Sequence, residues 1–112
     1  MHTTHIAEIG LLNQSNSKIT AQIYLKTHVT ERYTLPPGHM EGLLQYEEHP
    51  EEHDKIPQAL LKIELTHQSG CTILLERQTI QKIATRKPQG YYWIIPIVPE
   101  LFEVHQCYQL RD

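Results

Sequence analysis

Residues 49–53, His-Pro-Glu-Glu-His, carry the pattern H-x-x-E-H. On one helical face, two imidazoles and a carboxylate so spaced can hold zinc and activate a water for hydrolysis. That chemistry also needs a third metal ligand further along the chain. Here Pro50 and Pro57 frame a short acidic stretch, which argues for a solvated loop in place of a helix. His49 and His53, with Glu47, Glu48, Glu51, Glu52 and Asp54 around them, are then weak metal candidates that lack the outer support fixing ligand geometry. A second arrangement, His105 two residues before Cys107, would place a base and a nucleophile on the same face of a strand. No nearby segment offers an oxyanion site. A metal-dependent or cysteine-dependent enzyme is therefore the last of three readings, and no cofactor is expected.

The charge pattern carries more. Glu41, Glu47, Glu48, Glu51, Glu52 and Asp54 give residues 41–54 six acids and no Lys or Arg, whereas Arg77, Lys82, Arg86 and Lys87 give residues 77–93 four bases and no acid. The net charge of -3 conceals this separation. An acidic loop can steer a basic surface into contact, so the leading expectation is a small protein-binding module. An inhibitor, an immunity protein or an adaptor docking a basic partner would fit. The alternative is a nucleic-acid-binding small barrel, with the four bases pairing phosphates and Tyr91, Tyr92 and Trp93 stacking on bases. Those rings lie in the most apolar run of the chain, which suits a core equally well. The five glycines are isolated, so no phosphate-cradling loop or dinucleotide fingerprint exists.

The elements that must position these residues read as strands. Residues 18–26 alternate, with Ile19, Ala21, Ile23 and Leu25 on one face. Residues 6–12 form a second strand, and the turn-favouring residues 13–17 between them predict an N-terminal hairpin. Leu35-Pro36-Pro37-Gly38 predicts a tight turn, residues 42–47 a strand, and residues 47–57 an exposed loop. Residues 61–66 and 71–75 flank a short loop containing Gly70, the strongest hairpin signal present. Ile80, Ile83 and Ala84 lie at helical spacing within residues 76–87, before Pro88 and Gly90. Residues 91–98 read as a buried strand in which Pro96 demands an edge, a bulge or the end. Residues 102–110 read as a last strand.

The expected fold is mainly β, a small antiparallel barrel or curved sheet with one short helix, with an α+β two-layer sandwich as the alternative. At 112 residues the chain suits a single domain. No run approaches the roughly 20 apolar residues that span a bilayer, and the first residues lack the features of a secretory signal. Cytoplasmic residence is therefore expected. Cys71 and Cys107 are too few for a disulfide framework and are read as unbridged apolar strand residues.

Overall fold

Strand formation follows the alternation in the sequence. Residues 19–25 bury Ile19, Ala21, Ile23 and Leu25 and turn Thr20, Gln22 and Tyr24 outward, because successive side chains on a strand point to opposite faces. The computed structural model describes residues 4–87 and 91–108. It contains strands β1 (His5–Asn13), β2 (Ile19–Leu25), β3 (Tyr33–Leu35), β4 (Met40–Glu48), β5 (Leu60–His67), β6 (Thr72–Glu76), β7 (Thr85–Arg86) and β8 (Tyr92–Ile97). Two short helices, α1 (Arg77–Ile83) and α2 (Leu101–Val104), and a 3-10 turn at Pro50–Glu52 join them.

The fold is mainly β, built as two four-stranded sheets with orders β4-β1-β8-β7 and β3-β2-β5-β6. Neighbouring strands are antiparallel except β1 and β8, which run parallel. The sheets do not close into a barrel. Their apolar faces meet in one core that joins Ile9, Leu11 and Ile95 of the first sheet to Ile23, Ile63 and Leu75 of the second, as sheets packed face to face require. Ile80, the one fully buried residue of α1, closes part of that core. Each such side chain contributes roughly 2 kcal/mol by leaving water.

The expected β5–β6 hairpin forms, with Leu65 opposite Ile73 and Gly70 at φ +97° in the turn. The Pro36-Pro37-Gly38 turn forms as well, Gly38 taking φ +79°, a conformation open to glycine. Pro96 fits because of where β8 lies. Tyr91 and Ile97 direct their carbonyls to Glu8 and Gln14 of the β1 side, so Pro96 faces the other way, past the end of the two-residue β7.

Three expectations are corrected. Residues 6–12 and 18–26 do not form a hairpin, because β1 and β2 belong to different sheets. The intervening polar residues build a corner around the fully buried Asn13, whose Nδ2 donates to the carbonyls of Ser17 (2.8 Å) and Leu35 (2.9 Å). Its Oδ1 accepts from the Ser15 amide and hydroxyl, so the turn residues bond to a third segment and redirect the chain across the sandwich. Residues 102–110 are not a strand over their described part. After Pro99, α2 buries Leu101 and leaves Val104 75% exposed, and only Tyr108 makes a strand-like bridge, to Thr72. Finally, the cysteines are bridged. Cys71 and Cys107 form a disulfide with Cα atoms 5.2 Å apart, a spacing the bond requires and which the sequence separation of 36 concealed.

Candidate functional site

The acidic segment leaves the end of β4, makes the 3-10 turn and reaches β5 in the opposite sheet. Its shape is set by side chains of α1 and β7. Arg77 opens α1 and donates to three carbonyls: Nη1 to Pro57 (2.7 Å) and Leu60 (2.8 Å), Nη2 to Ile56 (2.9 Å). One turn later on the same face, Gln81 accepts from the Ile56 amide (2.9 Å) and donates to the Asp54 carbonyl (3.2 Å). Arg86 of β7 donates through Nη1 to the His53 carbonyl and to Glu48 Oε2 (2.8 Å), and through Nη2 to Glu48 Oε1. Three long side chains thus replace solvent as partners of the loop backbone.

Glu48 and Arg86 come from the two edge strands of one sheet. In a flat four-stranded sheet those edges would lie about 14 Å apart, so their contact shows that this end of the sheet is curled. The Glu48 side chain is only 2% exposed, and the guanidinium lies 5.5 Å from the Trp93 ring centroid and 5.7 Å from that of Tyr91. This bidentate pair, flanked by aromatic faces, is a geometry that favours arginine over lysine. Beside it Tyr46 donates to Glu48 Oε2 at 3.4 Å. Burial, then the Glu48 charge, pushes the Tyr46 hydroxyl up to about 12. The indole N–H of Trp93 is buried in the same wall, close to the Tyr46 hydroxyl.

The six acids of the sequence are therefore not one patch. Glu48 is neutralised inside the molecule. Glu41 lies roughly 20 Å along β4 from Glu47 and pairs with His39 at 3.2 Å. Glu47, near the end of β4, and Glu51, Glu52 and Asp54, on the loop that follows it, take part in no described ion pair. Two clefts flank this loop. One, of about 310 Å³, lies between it and β4 and is lined by Tyr46, Glu47, His49, Glu52, Lys55 and Ile56 among others. The other, of about 640 Å³, separates Asp54 and Lys55 from Glu76, Arg77, Gln78 and Gln81 of α1.

The four bases divide in the same way. Arg77 and Arg86 bond inward to the loop, whereas Lys82 and Lys87 are exposed. Of the aromatic run, Trp93 is in the core and Tyr91 stacks on His5 at 4.2 Å. Tyr92 covers Gly10, where a Cβ would lie 2.6 Å from its hydroxyl. The two loop histidines flank the 3-10 turn, with His53 Nδ1 donating to the Pro50 carbonyl. No group of three or more His, Cys, Asp or Glu side chains among the described residues is arranged to hold a metal ion. His105 donates to the Leu101 carbonyl, and Cys107 is in the disulfide, so that pair presents no thiolate. Gln81 and the anchoring role of Arg77 were missed in the sequence. Their spacing of four, placing both on one helical face, was the available signal.

Comparison of the chain with protein-family models, with curated proteins and with solved structures finds no match in any of the three. No described helix is long and apolar enough to cross a membrane.

Proposed function

We propose that the protein is a binding module without catalytic activity, which docks a basic surface of a protein partner through Glu47 at the end of β4 and the following loop with Glu51, Glu52 and Asp54. The observation that supports this is the division of labour around the loop. Arg77, Gln81 and Arg86 fix its backbone from within, while these four acids have no described ion-pair partner. Grouping like charges costs stability in the free protein. Holding them in a set shape reduces the ordering cost of association and speeds encounter with a cation-rich surface. An inhibitor, an immunity protein or an adaptor would use such a surface. The nucleic-acid reading is weaker on the same geometry, since two of its four bases are engaged inside the molecule.

The test is E47Q/E51Q/E52Q/D54N. A partner captured by the wild type from its native cell should associate with the variant more slowly and with most of its salt dependence gone, because exposed charges act through screened long-range attraction. Equal rates at all salt concentrations would remove the acidic loop from the interface.

For location, the Cys71–Cys107 bond favours a compartment where thiols stay oxidised over the cytoplasm expected from the sequence. Thiol trapping in intact cells decides this: both cysteines resist alkylation in an oxidising compartment and react in a reducing one.

A further inference from the structure

The edges of the two sheets differ in how they are protected. β7 is two residues long and β3 three. β6 is capped by the C-terminal segment: Tyr108 exchanges both backbone bonds with Thr72, and the disulfide stands beside them. β4 alone among these edges is long, at nine residues, with no described strand paired to its outer side. Within β1, the amides of Glu8 and Gln14 bond to the β8 side, so alternate residues His5, Ala7 and Leu11 bond to Glu48, Tyr46 and Glu41 of β4. The intervening residues of β4, Met40, Gly42, Gln45 and Glu47, then turn their N–H and C=O groups to the open side. All four are exposed, and no described backbone group outside the sheet bonds to them. An edge of this length with free donors and acceptors is a template for another strand.

Charge selects the occupant. Residues 36–54 contain no Lys or Arg. Glu8, Gln45 and Glu47 share the outer face of the sheet, with Gln45 Nε2 donating to Glu8 Oε2 at 3.2 Å. A strand added beside β4 would lay alternate side chains along that face, within reach of both carboxylates. A second copy of the chain would bring like charges there, whereas arginine or lysine at alternate positions would complement them. We infer that β4 receives an extended segment of the partner with basic residues at alternate positions, added as an edge strand. Main-chain hydrogen bonds hold it, and Glu47 and Glu8 select its charge. This rests on the protein-binding reading above and specifies its mode.

The probe is a synthetic peptide alternating arginine with valine, added to the full chain while amide exchange is followed residue by residue. The inference expects salt-sensitive binding that slows exchange at Met40, Gly42, Gln45 and Glu47. It also expects at least about a tenfold loss of affinity when alternate peptide nitrogens are methylated, since each removes a main-chain donor. The methylated peptide leaves the protein unaltered, so a folding defect cannot imitate the result. Binding that is abolished by E47Q/E51Q/E52Q/D54N yet leaves the four edge amides unprotected would overturn strand addition while sustaining the acidic-loop reading. No binding at all would overturn the basic-segment occupant. Protection of the same amides by raising the protein concentration alone would show a second copy on the edge and overturn it equally.

Discussion

Glu48 has almost no access to water, and its charge is matched by the Arg86 guanidinium and the Tyr46 hydroxyl. Removing one member of such a pair strands the other, whereas removing both in favour of apolar groups of similar size is close to neutral. R86M should therefore lower unfolding stability by about 3 kcal/mol, and E48M/R86M should recover most of that loss, as urea denaturation will measure. Tyr46 adds a dependence on alkaline pH. In the unfolded chain a tyrosine loses its proton near pH 10, whereas Tyr46 in the folded protein, held neutral by burial and by Glu48, does so at about 12. Tyr108 is 39% exposed, but its partial desolvation and its hydrogen bond to Glu64 likewise push it up to about 12. The stabilisation is complete below pH 10 and is lost as pH rises from there through 12, because only the unfolded state releases protons over that window. Y46F should show a shallower loss of stability across the same window than the wild type. The sequence displayed these residues as members of an acidic run and a basic run. It did not display their pairing, which joins opposite edges of a sheet whose strand order the alternation pattern leaves open.

At the scale of elements, α1 serves as a clamp on the segment 50–59. The carbonyls of Ile56, Pro57 and Leu60 belong to buried residues, and Arg77 supplies a donor to each. R77M should cost about 2 kcal/mol, the consequence of leaving buried acceptors unsatisfied. It should also raise amide exchange across residues 50–59 while the β5–β6 hairpin stays protected. Equal loosening of both segments would show that Arg77 supports the whole fold and not the loop in particular. The elements themselves were largely legible: the sequences of β2 and β5 show period-two alternation, β6 is an apolar run after the Gly70 turn, and Ile80 marks α1. What local pattern could not show is where the turn-like residues 13–17 lead. Asn13 bonds to Leu35, a partner far along the chain, and that contact turns an apparent hairpin into a crossing between sheets. The parity of Phe102 and Val104 misled for a related reason, since a turn after Pro99 starts a helix that buries Leu101 instead.

For the molecule as a whole, the disulfide is the one covalent tie between the C-terminal segment and the second sheet. In the chain-entropy account, closing a loop of this length disfavours the unfolded state by roughly 4 kcal/mol. C71S/C107S should lose up to that amount in urea unfolding, with little change in the curled end of the first sheet, where neither cysteine lies. Composition pointed to one mainly β domain without revealing this tie, because two cysteines distant in sequence carry no local signature. The parallel pairing of β1 with β8 has a further consequence. Residues 8–13 must wait for residues 92–97 before their sheet acquires its central contact, whereas β5 and β6 can zip together across a short turn. Non-local pairings form slowly because chain ends must first meet. On a ribosome the second sheet could thus assemble while β1 has only β4 beside it, and the open β8 side of β1 would be the edge on which a chaperone acts longest during synthesis.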